Sequence, residues 1–307
     1  MYAFFGVDDS GVVTILDPWL ELDIGRGNIR RFNELRNQNP NLKTIAAIGG
    51  ATIDPKIFSR IAASASLRVT FARNARDFCL THGFDGVDLG WEFPGIHDGD
   101  TAGNDKGNFV LMLSELAFAL RSHGLLLTAA LAASETIASI SYDIAGIVPH
   151  LDFVNLMAYD YNGAWSNFTG HNAPLFAGPS DQNDFQRKLN VHHSINYWLG
   201  QGAPVAKLVL GVPAYGRTFT LANPAVNGLR ATAEGPGLPG PYTQQYGYIA
   251  YHEWIGYDDS QSILEKCNYA NSHQLAGMMV WAIDMDDFRG YCGTSYNLLK
   301  TINECLV

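Results

Sequence analysis

Short apolar runs alternate along this chain with stretches in which apolar residues recur at helical spacing. The runs fall near Tyr2–Phe5, Thr44–Ile48, Phe84–Leu89, Leu125–Leu131, Phe153–Met157, Leu208–Val212 and Met278–Ala282. Each is apolar almost throughout, the pattern of a parallel strand covered on both faces. Between them, Ser66–Thr81 places Leu67, Phe71, Ala75 and Phe78 on one helical face, and Phe109–Ser122 and Asp184–Leu199 read as further helices. Alternating strands and helices predict an α/β chain built on a parallel sheet, either closed into a barrel or open and doubly wound. The open reading lacks its fingerprint, because no Gly-x-Gly-x-x-Gly follows the first strand. Seven strands are legible where a closed barrel has eight, and the absent one is expected to precede Met1.

The rhythm breaks from Ala222 to Gly256. This stretch carries Gly235-Pro-Gly-Leu-Pro-Gly-Pro241 and the tyrosines Tyr242, Tyr246, Tyr248 and Tyr251. It reads as an inserted loop or small subdomain on the rim of one domain spanning 1–307, not as a linker, because only one more strand follows it. The length of 307 residues suits a single barrel of about 250 residues with an insertion.

Charge narrows the partners. Acidic residues number 30 against 20 basic ones, a net charge of -10 that repels phosphate, so nucleic acid is not an expected partner. No apolar run reaches about 18 residues, so no membrane span is expected. The start, Met1-Tyr-Ala-Phe-Phe-Gly-Val, lacks a basic region and a small-residue cleavage site; it reads as a core strand and not as a signal peptide. Four cysteines, Cys79, Cys267, Cys292 and Cys305, form no Cys-x-x-Cys pair. A zinc site is therefore not expected, while two disulfides and four buried thiols both remain open. One N-glycosylation sequon is present, Asn167-Phe168-Thr169.

The chemistry is concentrated in Asp85-Gly-Val-Asp-Leu-Gly-Trp-Glu-Phe-Pro-Gly95. Strand side chains alternate with period two, so Asp88, Gly90 and Glu92 share one face while Val87, Leu89 and Trp91 take the other. The apolar set faces the surrounding helices. The polar set points inward and climbs to the C-terminal mouth, where barrel active sites sit. Two inward carboxylates on a core strand are costly to desolvate unless they are used.

This run resembles the signature of family 18 glycoside hydrolases, the chitinases and chitinase-like proteins, whose pattern is DGxDxDWEYPG. Further motifs follow in order. Lys43-Thr-Ile-Ala-Ala-Ile-Gly-Gly50 is similar to a family strand ending in SxGG, and Leu156-Met-Ala-Tyr-Asp-Tyr161 with Trp165 to its MxYD strand. Gly211-Val-Pro-Ala-Tyr-Gly-Arg-Thr-Phe219 resembles the next, and Gly277-Met-Met-Val-Trp-Ala-Ile-Asp284 the last. The resemblance implies a (β/α)8 TIM barrel lacking its first strand, a secreted extracellular monomer, and chitin or chitin oligosaccharides as partner, with no cofactor and no metal. It implies retaining hydrolysis of β-1,4-linked N-acetylglucosamine in which the substrate's own acetamido oxygen attacks the anomeric carbon. Glu92 would protonate the leaving oxygen, and the carboxylate two residues earlier would orient the acetamido N–H. Asp88 would support that carboxylate, and Tyr159 would bond the acetamido oxygen. Met157, Asp160, Tyr215 and Arg217 would line the site, Glu253 in Tyr251-His-Glu-Trp254 would contact substrate, and Trp281 would form the floor beneath a sugar.

The chain departs from that pattern where it matters most. The middle acidic position is Gly90. Loss of an orienting carboxylate costs roughly 10²–10⁴-fold in rate. Asp88 lies one strand step deeper, about 6–7 Å away, too far to substitute directly. Without the neighbouring negative charge Glu92 is also expected to ionise more readily. The expectation is a weak hydrolase, or a chitin-binding lectin or signalling protein on a disabled scaffold. The 222–256 insertion is shorter than the family's, which lowers one wall of the cleft. Ala51 follows Gly49-Gly50 where the family often has Trp, removing an aromatic platform. Cys292 resembles a cysteine whose partner falls in the missing segment, so it is expected to be free or re-paired.

Other candidates weigh less. His192-His193 lacks the i, i+4 spacing of a helical metal pair. Asp284, Asp286 and Asp287 cluster after the last strand, where polar residues at a barrel mouth outweigh a calcium reading. Gly235–Pro241 is not a phosphate cradle, since no helix N-terminus follows it.

Overall fold

The structure is a computed structural model that describes residues 1–240, 244–248, 254–291 and 293–306. Among the described residues eleven strands are formed: β1 (Tyr2–Val7), β2 (Val13–Thr14), β3 (Ile45–Gly49), β4 (Gly86–Gly90), β5 (Leu126–Ala132), β6 (Phe153–Met157), β7 (Leu208–Pro213), β8 (Arg217–Leu221), β9 (Ala233–Pro236), β10 (Trp254–Gly256) and β11 (Gly277–Trp281). All seven strands read from the apolar runs are present, displaced by no more than two residues at either end. The central sheet has eight strands in the order β11-β7-β6-β5-β4-β3-β1-β2. Pairing is parallel for β1 with β3, β3 with β4, β4 with β5, and β7 with β11. The eighth strand, β2, is a two-residue antiparallel ribbon on β1. This sheet of parallel strands joined by helices is the (β/α)8 architecture expected from the sequence.

The chain divides into two compact units, the first formed by Met1–Ala132 with Thr136–Asn155, the second by Ala133–Glu135 with Leu156–Val307. In the first unit the helix Ala65–His82 starts where the Ser64 hydroxyl accepts from the Leu67 amide. It stops at Gly83, whose positive φ of 76° lets its N–H return to the Cys79 carbonyl. Helix Pro55–Ala63 begins with proline at its first turn behind the capping Asp54. These helices and Asp105–Arg121 bury Phe58, Phe71 and Phe109 against the outer face of the strands. Trp91 belongs to that layer, as alternation predicts. It is fully buried, stacked on Phe58 at 6.0 Å and edge-on to Phe109 at 5.7 Å.

In the second unit one expected helix is two. Asp184–Lys188 and Val191–Gly200 are separated because Asn190 takes an extended backbone and caps the second, accepting from the His193 amide at 2.8 Å. The stretch read as an insertion forms a three-stranded antiparallel sheet, β10-β8-β9, that already begins at Arg217. Lys266 and Asp258 form a buried ion pair at 2.5 Å. Burial draws the Lys266 ammonium down from its ordinary value while the carboxylate opposes that shift.

Of the cysteine alternatives, the second unit shows a disulfide between Cys267, on helix Ser260–Ser272, and Cys305, at the end of helix Asn297–Cys305. Cys79 is a buried free thiol, pushed up to about 12 by burial, which marks it as an inert core residue. Cys292 lies outside the described residues. The disulfide closes a span of 38 residues. In a chain-entropy account, its loss removes about 3–4 kcal/mol of stability. Cys305→Ser should therefore lower the urea midpoint, and reducing the wild-type protein should bring it to the same value. Coincident midpoints for oxidised wild type and variant would show that the bridge contributes nothing.

Candidate active site

Strand β4 sets the first group of site residues. Asp88 is 3% exposed, and its Oδ1 accepts from the Thr128 hydroxyl at 2.5 Å and from Asn155 Nδ2 at 2.9 Å. Thr128 is its direct register partner on β5 and Asn155 lies on β6. Three adjacent strands therefore converge on one carboxyl. Burial raises its pKa from the ordinary aspartate value, and the two hydrogen bonds pull it only part of the way back. Neither Thr128 nor Asn155 was singled out from sequence, although each is the lone polar residue in an otherwise apolar strand, and that was the available signal.

One strand step above Asp88 is Gly90. Its backbone is ordinary strand, and a Cβ built on it would lie 3.1 Å from the Gly50 nitrogen and 3.7 Å from the Ile48 oxygen. A side chain there requires Gly50 to yield by a few tenths of an ångström and imposes no left-handed backbone. The neighbouring glycines differ. Gly49 has a φ of 115°, and its Cβ would meet the Gly90 carbonyl at 2.1 Å; Gly50 has a φ of 87°, and its Cβ would meet the Phe4 ring at 2.7 Å. The Gly49-Gly50 pair is demanded by close approach, whereas glycine at 90 is not.

Glu92 follows the strand end and is half-buried. Its charge reaches Tyr142, a buried phenol that sequence reading passed over. Tyr142 accepts from the Ala132 amide at 3.1 Å. Burial raises the phenol's pKa and the Glu92 carboxylate adds to that rise. The segment after Glu92 is fastened to Asp105, a fully buried residue that accepts from the Gly95 amide at 3.0 Å, the Ser59 hydroxyl at 2.6 Å and His97 Nε2 at 2.7 Å. The Gly99 amide donates to His97 Nδ1 at 3.0 Å, so Nε2 carries the proton toward Asp105.

The second unit brings together a second group. Asp160 stands at a φ of 59° with its amide donating to Asn172 Oδ1 at 2.9 Å, and Asn172 Nδ2 donates in turn to the Tyr215 carbonyl at 3.1 Å. The Asp160 carboxylate receives a forked pair from Arg217, Nε to Oδ1 and Nη2 to Oδ2, both at 2.7 Å, and the Tyr215 hydroxyl donates to Oδ1 at 2.7 Å. Burial alone would lower Arg217, but Asp160 more than offsets it and holds the guanidinium above its ordinary value. Tyr215 is pushed up by burial and then by the adjoining carboxylate. Arg217 also lies over the rings of Tyr248 at 4.2 Å, Trp165 at 4.9 Å and Tyr215 at 5.4 Å. Tyr159 packs edge-on to Tyr215 at 6.1 Å, with Met157 half-buried at the end of β6. Trp281 ends β11, and its carbonyl accepts from the Ala214 amide at 2.8 Å, next to Tyr215 in sequence. Glu253 lies outside the described residues.

The lesser candidates have structural employment. His192 meets the Tyr269 hydroxyl at 3.0 Å and His193 meets Glu135 at 2.6 Å, so the two rings serve different partners. Asp286 accepts from the Leu299 amide at 3.0 Å at the start of the last helix, and Asp287 from the Tyr291 amide at 3.0 Å. Among the described residues, no group of three or more His, Cys, Asp or Glu side chains is arranged to hold a metal. No helix among them is long and apolar enough to cross a membrane.

The first unit thus holds a buried acid bound by two donors with a glutamate two steps along the same strand face, and the second unit holds an aspartate clamped by arginine and tyrosine. The sequence profile of the glycosyl hydrolases family 18 matches residues 1–286. The chain belongs to this family. It is 36% identical to mouse (Mus musculus) chitotriosidase-1 over 99% of this chain and 70% of that protein. The crystal structure of Ostrinia furnacalis group IV chitinase in complex with allosamidin superposes with a TM-score of 0.95 at 37% identity, covering 99% of this chain and 89% of that one. Human YKL-39, described as a pseudo-chitinase with retained chitooligosaccharide binding properties, superposes at 0.89 with 30% identity, covering 99% and 90%. The family 18 relatives thus include both hydrolases and a binding protein.

The Asp88 environment yields a pH prediction. Its folded pKa lies above the unfolded value near 3.9, so folding takes up a proton. The stabilising contribution is complete below about pH 4 and is lost as pH rises through the folded pKa. Asparagine mimics the protonated acid, because its oxygen can accept from Thr128 and Asn155. Asp88→Asn should therefore melt no lower than wild type near neutral pH, and the difference in melting temperature should shrink on acidification. A variant less stable at neutral pH, with a gap that does not narrow in acid, contradicts this account.

Proposed function

We propose that this chain binds β-1,4-linked N-acetylglucosamine oligomers and hydrolyses them weakly, with Glu92 as acid and then base. The carrying observation is Gly90, a residue without a side chain between Asp88 and Glu92, where a Cβ would require Gly50 to yield by only a few tenths of an ångström. In the substrate-assisted reaction, the acetamido oxygen attacks the anomeric carbon as Glu92 protonates the departing oxygen, and Glu92 then draws a proton from the incoming water. Tyr159 bonds the acetamido oxygen. Met157, Asp160, Tyr215, Arg217 and Glu253 bind the sugars, and Trp281 stacks beneath one of them. At residue 90 nothing orients the acetamido N–H or shares the cation's charge, and Asp88 is engaged by Thr128 and Asn155 one step below. The reaction is slowed for that reason.

The second reading is a chitin-binding lectin or signalling protein without turnover. Gly90 favours it, and so does the binding described for YKL-39. Under either reading we take 1–307 as one family domain with 222–256 as a shortened insertion, acting as a secreted monomer that needs no cofactor and engages neither nucleic acid nor membrane. The Cys267–Cys305 disulfide accords with an oxidising compartment.

Gly90→Asp should raise kcat on a fluorogenic chitobioside by about 10²–10⁴-fold while the dissociation constant for chitin oligosaccharides barely moves. Adding Glu92→Gln to that variant should remove the gain. If Gly90→Asp binds sugar and stays inactive, the lectin reading stands and the hydrolytic one falls. Failure of both proteins to bind any oligosaccharide overturns both.

A further inference from the structure

The sequon Asn167-Phe168-Thr169 occurs once in the chain and plays no part in the site chemistry. Its three residues have sharply different surroundings in the second unit. Asn167 is exposed, with its main chain held because the Ala233 amide donates to its carbonyl at 3.0 Å. Phe168 bridges to Thr232, and its ring lies 4.7 Å from the guanidinium of Arg230, which is itself paired with Asp181. Thr169 is fully buried: its hydroxyl donates to the Gly228 carbonyl at 2.7 Å and accepts from the Ala231 amide at 3.2 Å. Backbone bonds from Thr169 to Ala231 and from Arg230 to Thr169 seal it on both sides.

We propose that Asn167 carries an N-linked glycan that is attached before this segment folds. Glycosyl transfer reads the sequon's hydroxyl as well as its amide. In the folded protein the amide is at the surface and the hydroxyl is sealed, so transfer must precede closure of the 228–233 segment over Thr169. Once folded, a glycan on the exposed Asn167 displaces no packed side chain. In the transfer, Asn167 Nδ2 forms a bond to C1 of the first N-acetylglucosamine of an oligosaccharide carried on a polyprenyl diphosphate. The C1–O–phosphate bond breaks, the lipid diphosphate leaves with the electron pair, and the amide proton passes to the transferase's base. The Cys267–Cys305 disulfide is independent support, since disulfides and N-glycans are acquired in the same oxidising compartment. The inference rests on the secretory part of the proposed function and not on catalysis.

The test is the full chain, expressed behind a secretion leader in insect cells, with intact mass read on both the secreted and the cell-retained pools. One glycan is expected, removed by peptide-N-glycosidase F with conversion of residue 167 to aspartate. Asn167→Gln and Thr169→Ala should each show the bare polypeptide mass of its own sequence, and the surface variant Asn167→Gln should fold and bind oligosaccharide as wild type does. For timing, protein made in bacteria is offered to microsomal transferase with lipid-linked oligosaccharide. The reduced, unfolded chain should be modified and the folded one should not. Bare polypeptide mass in both cell pools overturns the site. Equal modification of folded and unfolded chains overturns the order of events. Because sugar binding and turnover are assayed separately, an inactive but glycosylated protein leaves this inference intact.

Discussion

The buried carboxyl of Asp88 is the constraint around which the first unit is arranged. An aspartate in the middle of a sheet loses its water, and it persists only because β5 and β6 each present one donor to the same oxygen. That requirement fixes the register of three strands, because a one-residue slip of β4 would bring Val87 or Leu89 to where the carboxyl belongs. The same alternation that turns Asp88 inward turns Val87, Leu89 and Trp91 into the helical layer, where all three are fully buried. Packing on one face and chemistry on the other are thus one decision, made by the period of the strand.

The second unit solves a comparable problem with charge. Asp160 departs from strand geometry into the left-handed region, and Asn172 holds it there by its amide. Its carboxylate then meets a forked arginine and a tyrosine hydroxyl, which satisfy it while leaving its side chain 35% exposed. Arg217 lies in turn over aromatic rings, which cover the guanidinium while the carboxylate keeps part of its contact with water. Such a network is polar and held by several bonds at once.

Within the first unit, Gly90 differs from the glycines beside it, since a Cβ there requires Gly50 to yield by only a few tenths of an ångström. Gly49 and Gly50 are glycines because a Cβ would collide with a carbonyl and with a ring. No such collision forbids a side chain at 90.

The sequence by itself determined the seven strands, the direction of every side chain on β4, and the pairing of motifs with strands, because period-two alternation and apolar runs are local properties. It also marked Asp88, Gly90, Glu92, Tyr159, Asp160, Tyr215, Arg217 and Trp281 by resemblance. Thr128, Asn155, Tyr142 and Asn172 escaped it, since a single polar residue in an apolar strand does not announce which distant group it will satisfy. The break at Asn190 escaped for a related reason: a side chain capping its own backbone competes with helix on nearly equal terms. Cysteine count left pairing open, and only the juxtaposition of two helices chose Cys267 with Cys305. Local periodicity decides what each segment becomes. Which buried polar groups find partners is decided only when segments far apart in the chain are packed together.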